Sequence, residues 1–336
     1  SSTVKGTAQG SFQDLPVKLA AAFGPLGELR NPAKPYPVKL NGSWGQVDLA
    51  ITGTIQKPLD FNGLDLRLSL SGNKLDEIAS ALGVPMPALP TFRGTSKLTG
   101  GNGHWQLGAL TVKVGNSDLE GGIAIDTNET VPHLTANLTS SEIDLADFKG
   151  LYGGHPEKSA TPPPFHPEGR IIPDTKIAVK KLPDIDLTLK FYGTRIRSTG
   201  GLPFERIVFG IRIEKGQLIV DPLTFHVALG DVALKARFNP FTRTTPPKLS
   251  GKVQIQHIDL HRLLQNMPPI VRQTAGTAGG FLLFDTTGAS FREFMAHMNG
   301  DFALFVANGQ VSDLLQHLAP IDVLESLGVL ALGDQP

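Results

Sequence analysis

The stretch of this chain that decides its fold is Asp184-Ile185-Asp186-Leu187-Thr188-Leu189-Lys190-Phe191. Polar and apolar residues alternate through it without a break, and the pattern continues, strand after strand, as far as Ile258-Asp259-Leu260. Because successive side chains of a strand point to opposite faces, each such run has one apolar face and one polar face. The pattern therefore predicts a wide sheet with one continuous apolar surface.

The composition limits the class of protein. The chain has 336 residues, enough for one large or two medium domains, and it is 40% hydrophobic and 18% charged. Its 37 glycines and 26 prolines are scattered between short apolar runs, which is typical of turn-rich β proteins. Basic and acidic residues number 31 each, so the net charge gives no reason to expect a nucleic-acid partner. The absence of cysteine excludes disulfides, zinc–cysteine sites and thiol catalysis.

Residues 38–151 carry the first set of alternating runs. Among them the sequence predicts a helix at Leu75–Leu82, and a second short helix that begins after Ile143-Asp144-Leu145. Residues 1–37 have the weakest signal, with a short amphipathic turn predicted at Val17–Phe23 and a proline-marked loop after it.

Prolines interrupt the pattern in the middle of the chain. Residues 152–174 contain so many of them that a linker or a long crossover is expected there. Strands resume at Asp184, and a small helix is predicted at Ser290–Met298. The best helix candidate is Val311–Leu332, because its leucines form an apolar stripe. Its few charges give no basic face, so core packing is favoured over docking to a partner or a membrane.

The chain also repeats itself. Five matched pairs occur in the same order, which predicts two copies of one β unit at residues 63–151 and 184–264. The pairs are Leu64-Asp65-Leu66 with Ile185-Asp186-Leu187, Leu89-Pro90 with Leu202-Pro203, Leu110-Thr111 with Leu223-Thr224, Gly115 with Gly230, and Ile143-Asp144-Leu145 with Ile258-Asp259-Leu260.

Three groups of polar residues invite a chemical interpretation. Asp144 and Asp259 precede helical stretches, so we interpret them as N-caps rather than acid catalysts. Ser117 lies in a sequence that superficially resembles a nucleophile elbow, but Leu119 replaces the second glycine and a strand follows, which favours a turn residue. His257 and His261 are four residues apart and can in principle share a metal, but no third ligand is evident. The sequence therefore predicts no catalytic residue, no metal and no cofactor.

Three groups of motifs follow one another along the chain. They are Leu110–Gly121 (with Gly115, Ser117, Asp118, Leu119 and Gly121), Leu218–Leu223 with Gly230 and Ile258-Asp259-Leu260, and Gly276–Gly280 with Asn299-Gly300-x-Phe302 and Asn308-Gly309-Gln310-Val311. These motifs resemble those of the AsmA-like family of bacterial envelope proteins. The first group is similar to that family's glycine–x–serine–aspartate–leucine–x–glycine turn, the second to its carboxy-terminal signature, and the third to its closing strands. The resemblance covers the chain from about Trp44 to Leu332.

The resemblance implies a mainly β fold in which long, twisted antiparallel sheets form an open, taco-like groove related to chorein-type lipid-transfer proteins. Here this groove would be a duplicated unit with short capping helices and a C-terminal helix. We expect a first β-groove unit at residues 1–151, with 1–37 as a poorly defined lead-in. A proline-rich linker at 152–174 and a second unit with the C-terminal helix at 175–336 would follow.

The apolar strand faces are the candidate site, because they can line a lipid groove or form an ordinary sandwich core. A strand of eight residues is about 26 Å long, comparable with an acyl chain. The candidates are Leu64, Leu66, Leu68, Leu70, Ile185, Leu187, Leu189, Phe191, Phe209, Ile211 and Ile213.

We therefore expect a non-enzymatic, periplasmic fragment of an AsmA-like protein that binds phospholipid for lipid transport and outer-membrane assembly. Its membrane contact would be an inner-membrane anchor, an amino-terminal segment missing from this chain. Other envelope proteins are possible partners and nucleic acid is not. The alternative is a structural or adhesive β-sandwich without lipid cargo, in which a charge placed at Leu66 or Leu187 would unfold the chain. In the lipid groove, the same change would abolish binding and leave the fold intact.

Overall fold

The computed structural model describes residues 3–31, 33–81, 89–148, 184–197, 204–240, 245–265 and 275–310. Within them the chain is mainly β. In the first half the strands are β1 Val4–Phe12, β2 Leu15–Phe23, β3 Tyr36–Trp44, β4 Val47–Lys57, β5 Asn62–Gly72, β6 Phe92–Gly101, β7 His104–Val114, β8 Ser117–Asp126, β9 His133–Ser140 and β10 Ile143–Asp144. In the second half they are β11 Asp186–Gly193, β12 Ile196–Arg197, β13 Phe204–Glu214, β14 Gln217–Val227, β15 Gly230–Asn239, β16 Lys248–Asp259, β17 Ala275–Thr287 and β18 Phe302–Gln310.

Sixteen of these strands form one sheet in chain order, and β10 pairs separately with β12. The sheet is open, because β1 and β18 stand at its two ends. The predicted mainly β fold, with a sheet that does not close, is therefore confirmed. One difference from the prediction is that β11 runs parallel to β9, while the other pairs of described register in this sheet are antiparallel. A parallel pair needs a long connection, which residues 141–185 provide.

The chain divides into two compact units. Of the described residues, the first unit contains those up to 197 together with Gly210–Gly216, and the second contains 204–209 and those from 217 onward. The predicted linker at 152–174 and the predicted tail helix at Val311–Leu332 lie outside the described residues. The predicted domain boundaries remain a prediction.

The amino-terminal residues form regular structure that the sequence did not predict. Strands β1 and β2 occupy Val4–Phe12 and Leu15–Phe23, so the amphipathic turn expected at Val17–Phe23 was wrong. The two strands pair with each other along their whole length, and β2 also pairs with β3. This pairing supplies the order that alanines and glycines alone do not encode.

Short helices and their caps follow the sequence more closely. In the described ranges the α-helices are Leu75–Ala81, Leu260–Leu263 and Phe291–Ala296, and 3-10 helices occur at Leu26–Glu28, Pro58–Asp60 and Leu145–Phe148. Asp259 is the predicted N-cap, because its Oδ1 accepts a hydrogen bond from the Arg262 amide at 3.0 Å. Asp144 acts in the same way, with its Oδ1 accepting from the Ala146 amide at 2.9 Å.

Two predicted breaks in the strands are β-bulges. The alternating runs Trp105–Leu107 and Leu110–Val114 predict separate strands, as do the runs 217–220 and 223–229, but β7 and β14 each continue through the gap. The register shifts between Leu107 and Leu110 in the first and between Val220 and Leu223 in the second. An inserted residue reverses the phase of the alternation, which reads as a break in the sequence.

The two hairpins that contain these bulges also support the duplication. The two residues between β7 and β8 are Gly115 and Asn116, and those between β14 and β15 are Ala228 and Leu229. The structural counterpart of Gly115 is thus Ala228, and the predicted match of Gly115 with Gly230 was wrong by two positions. Ala228 has a φ of 47°, close to the 58° of Gly115, so the turn geometry is kept without the glycine.

Each unit has its own buried cluster of apolar side chains. In the first unit the cluster is Ile55, Leu64 and Leu66, and in the second it is Val227, Ala228, Ile258 and Ala278. The last two strands of the second unit depart from the predicted one-sided pattern. Phe281 and Phe305 lie on one face of β17–β18 and Leu282, Phe284 and Phe302 on the other.

Candidate functional site

The pairing of the strands gathers the apolar residues of the first unit on one surface. Directly paired residues point to the same side of a sheet, so the registers can be followed from β1 to β11. We call the surface that contains Leu66 the apolar face. Besides glycine, alanine and serine, it contains Val4, Phe12, Leu15, Val17, Leu19, Phe23, Tyr36, Val38, Leu40, Trp44, Val47, Leu49, Ile51, Ile55, Leu64, Leu66, Leu68, Leu70, Phe92, Leu98, Trp105, Leu107, Leu110, Val112, Val114, Leu119, Ile123, Ile125, Leu134, Leu138, Leu187, Leu189 and Phe191.

Charge is confined almost entirely to the other side of this sheet. Among the described strands of the first unit with known register, the charged residue on the side of the apolar face is Lys57, at the last position of β4. The opposite face carries lysine, arginine, aspartate or glutamate on most strands, including an ion pair between Lys97 Nζ and Asp65 Oδ1 at 3.0 Å. The apolar face can therefore contact hydrocarbon but offers few groups for polar recognition.

Seven of the predicted site residues come together on the apolar face. Leu64, Leu66, Leu68 and Leu70 lie on β5, and Leu187, Leu189 and Phe191 lie on β11, with β6 to β9 between them. Ile185 immediately precedes β11. Phe209, Ile211 and Ile213 alternate along β13, where Phe209 belongs to the second unit and the two isoleucines to the first.

Burial separates these candidates into two groups. Leu64, Leu66 and Ile213 are buried, with 7%, 6% and 7% of their surface exposed. The other eight are half-buried. Leu64 and Leu66 belong to the buried cluster with Ile55 and stabilise the fold. A charge at Leu66 would therefore test folding rather than binding.

A pocket lies at one rim of the apolar face, where β5 ends. It has a volume of about 320 Å³. Its walls are the ends of β1 to β5 and the helix Leu75–Ala81, and Ser43 is the one polar residue among them. The lining residues are Phe12, Val17, Leu19, Gly42, Ser43, Trp44, Val47, Leu49, Leu70, Leu75 and Ile78.

The helix Leu75–Ala81 covers this pocket because of its sequence. Leu75 and Ile78 are three positions apart, so they share the helix face that lines the pocket. Lys74, just before the helix, bonds to Glu77 Oε1 at 2.6 Å, and this contact raises the pKa of the Lys74 amine above its ordinary value. The Thr91 hydroxyl donates to Asn73 Oδ1 at 2.7 Å, which ties the start of the helix to the segment before β6.

An aromatic pair forms another side of the same pocket. The rings of Phe12 and Trp44 are 5.5 Å apart. The indole Nε1 of Trp44 donates to the Phe12 carbonyl at 3.2 Å, so its polar atom is satisfied by the backbone. The sequence does not predict this pocket, because Phe12, Val17 and Leu19 lie in residues 1–37, where the alternating signal is weakest. The alternating Val47, Leu49 and Ile51 were the available signal for its other wall.

The turn between β7 and β8, with the residues that follow it, forms a structural clamp. Asp147 Oδ2 accepts hydrogen bonds from the Asn116 amide at 2.9 Å, the Ser117 amide at 3.0 Å and the Ser117 hydroxyl at 2.7 Å. The Ser117 oxygen also accepts from the Asp144 amide at 2.9 Å. As donor and as acceptor, the Ser117 hydroxyl holds the β7–β8 turn to β10 and to the 3-10 helix that follows it. This agrees with the prediction that Ser117 is a turn residue rather than a nucleophile.

Asp118 forms the second half of this clamp. Its Oδ1 accepts from the Ser140 hydroxyl at 2.9 Å, the Ser141 amide at 2.7 Å and the Glu142 amide at 3.1 Å. Burial, the largest single influence, raises the pKa of this carboxyl. The hydrogen bonds from Glu142, Ser140 and Ser141, together with the positive charge of Lys113, outweigh burial, so the pKa of Asp118 lies below its ordinary value.

The two histidines considered as metal ligands lie close to each other in sequence but have separate settings. His257 lies at the register shift of β16 with a φ of 55°, and His261 lies in the helix Leu260–Leu263. Within the described ranges, no three side chains of the metal-ligating types are grouped.

Comparisons with known proteins agree with the motifs. A relative in Escherichia coli (strain K12), "AsmA family protein YhjG", is 24% identical over 342 residues, which cover 97% of this chain and 49% of the relative. The chain thus spans about half the length of the curated relative it matches. No solved structure matches the chain. In the part of the chain that the structure describes, no helix is both long and apolar enough to cross a membrane.

Family membership rests on the longest of these matches. The sequence profile of the AsmA family matches residues 28–323, which include all the described strands from β3 to β18. Membership of that family suggests a function associated with the cell envelope. This chain belongs to the AsmA family.

Proposed function

We propose that this chain binds phospholipid acyl chains on its apolar face and serves lipid transport in the bacterial envelope. The observation that supports the proposal is the run of ten paired strands whose shared face is almost free of charge. Strands of nine residues are about 30 Å long, and ten strands extend about 43 Å across the sheet. An acyl chain fits in either direction.

The energy of such binding needs no directional contact. Each methylene removed from water contributes about 0.8 kcal/mol, so an acyl chain of ordinary length offers on the order of 10 kcal/mol when fully enclosed. A face open on one side recovers part of that. Because hydrocarbon transfer requires no bond to form or break, we propose that the chain is not an enzyme.

The alternative is a closed β-sandwich without cargo. That alternative expects the inward-facing side chains to be buried, whereas eight of the eleven candidates are half-buried. The burial pattern therefore favours the lipid-binding proposal.

Family membership supports the cellular setting that we propose. The chain would be the periplasmic part of a longer protein, tethered to the inner membrane by a segment outside this sequence and contributing to outer-membrane assembly. Other envelope proteins would bind to that longer protein as its partners.

Native mass spectrometry of the purified chain after incubation with phospholipid vesicles tests the proposal. We expect bound phospholipid on the wild type and little on Leu19→Asp, because Leu19 lies on the apolar face and is already 37% exposed. Because the side chain at this position is partly exposed, a carboxylate there stays hydrated until bound lipid covers it. The matched control is Ala20→Asp, which places the same charge one residue away on the opposite face. A wild type that takes up no lipid, or two variants that lose it equally, would refute the proposal.

A further inference from the structure

The pocket beneath the helix Leu75–Ala81 differs from the rest of the apolar face because it is partly enclosed. The described part of the first unit consists of strands and short 3-10 helices apart from one α-helix, Leu75–Ala81, and that helix covers the pocket. Leu75 and Ile78 of the helix line the pocket together with Leu49 and Leu70 of the sheet. A hydrocarbon segment inside would contact both the helix and the sheet, whereas one on the open face is covered by the sheet alone.

The chemistry of the walls selects the part of a lipid that can enter. Ten of the eleven lining residues are apolar or glycine, and the indole nitrogen of Trp44 is already bonded to the Phe12 carbonyl. A phosphate or amine in this pocket would lose its hydration and gain no partner. Such apolar cavities hold hydrocarbon in preference to water.

The size of the pocket limits how much of a chain it can hold. A water molecule occupies about 30 Å³ of liquid, and a methylene is of similar size, so 320 Å³ holds on the order of ten carbon atoms. This is less than a whole lipid and is at the lower end of ligand pockets, which begin near about 300 Å³.

We propose that this pocket seats the methyl end of one acyl chain and thereby measures acyl-chain length. The inference rests on the proposed function and adds a direction to it, with the methyl end toward the helix and the head group away from it. As long as the chain end remains inside the pocket, each added methylene should strengthen binding by about fourfold. A chain too long for the pocket should gain nothing further.

The chain has two tryptophans, and both lie on the apolar face. Their fluorescence can therefore test which end of the acyl chain lies in the pocket. Trp44 lines the pocket, and Trp105 packs against the Ile55–Leu64–Leu66 cluster outside it. In the Trp105→Phe variant, phosphatidylcholine brominated near the methyl end should quench Trp44 fluorescence more than the same lipid brominated near the glycerol. In the Trp44→Phe variant, Trp105 should be quenched without that preference.

The possible outcomes separate this inference from the proposed function. Quenching of both tryptophans without a positional preference at Trp44, or with the reverse preference, would overturn the methyl-end seat and leave lipid binding intact. No quenching of either tryptophan by any of the lipids would overturn both.

A filled pocket tests the measurement of chain length. Val17→Phe adds four heavy atoms to a lining residue, so the preferred acyl chain should become shorter by about four methylenes. Ala21→Phe is the control, because it adds a ring on the same face of the same strand outside the pocket lining. The assay is native mass spectrometry after incubation with an equimolar mixture of phosphatidylcholines that differ in acyl-chain length. An unchanged preference in Val17→Phe, or an equal change in Ala21→Phe, would refute the proposal, and circular dichroism confirms that both variants fold.

Discussion

Removal of the Asp147 carboxylate should loosen the β7–β8 turn by a measurable amount. Three hydrogen bonds converge on Asp147 Oδ2, from two amides and the Ser117 hydroxyl, at 2.7 to 3.0 Å. A hydrogen bond to a charged group contributes about 1.5–3 kcal/mol. Because the three share one oxygen and Asp147 is half-buried, their sum overstates the effect. We expect Asp147→Ala to lower the free energy of unfolding by about 2–4 kcal/mol.

Urea denaturation followed by tryptophan fluorescence measures the free energy of unfolding of the first unit, which contains Asp147. Both tryptophans lie in the first unit, so the signal reports on that unit alone. A double-mutant cycle with Ser117→Ala isolates the bond between the Ser117 hydroxyl and Asp147, for which we expect a coupling of about 1 kcal/mol. Asp147→Asn keeps an acceptor oxygen and should lose less than Asp147→Ala.

Two results would contradict this reasoning. One is a loss of less than about 0.5 kcal/mol in Asp147→Ala, which is the usual range for surface substitutions away from structural features. The other is strict additivity of the two substitutions, which would mean that the hydroxyl and the carboxylate do not act together. Phospholipid binding should be unchanged in both single variants, because the clamp holds a turn and does not line the pocket.

Three further predictions concern stability. The pKa of Asp118 is lowered on folding, so its contribution to stability is present above its ordinary pKa of 3.8. This contribution is lost as the pH falls through the lower pKa of the folded state. In an acid titration, Asp118→Asn should therefore lose less stability over that range than the wild type. Leu66→Asp should prevent the first unit from folding, since it places an unpaired charge in a side chain that is 6% exposed, whereas Leu70→Asp, at a half-buried rim position, should keep the wild-type circular dichroism spectrum. Gly53→Ala should lower the urea midpoint, because the added Cβ would collide with the Asp65 carbonyl oxygen of the neighbouring strand. The φ of 153° at this residue is also unfavourable for alanine. An unchanged midpoint would show that β4 and β5 can move apart at low cost.

The sequence alone predicted the part of the fold that depends on alternation. In β5 every second residue from Leu64 to Leu70 is leucine, so the strand and its apolar face follow from the period of two. In β1 the same face is built from Val4, two glycines, an alanine and Phe12, which gives little contrast in hydrophobicity. That strand is specified by pairing with β2, a long-range property that a local pattern does not contain.

The pocket could not be predicted for a related reason. Its walls come from five strands and a helix, and their side chains meet only because the registers place the end of β1, the end of β3 and the start of β4 at one rim. A shift of one residue in any of these pairings would turn its side chains to the other face. The sequence shows that Leu49 and Leu70 are apolar, but it does not show that they are neighbours.

The first unit separates the residues that stabilise the sheet from those available to a ligand. Its strands are held laterally by backbone pairing from β1 to β11, and the buried cluster of Ile55, Leu64 and Leu66 involves only β4 and β5. A sheet stabilised in this way does not need a second layer along its whole width, so the remaining apolar side chains can stay half-buried. Substitutions on such a sheet should therefore fall into two classes, those near the cluster that alter unfolding and those near the helix Leu75–Ala81 that alter lipid occupancy. The pocket is where the lipid-binding class is expected, because its lining does not include any member of the buried cluster.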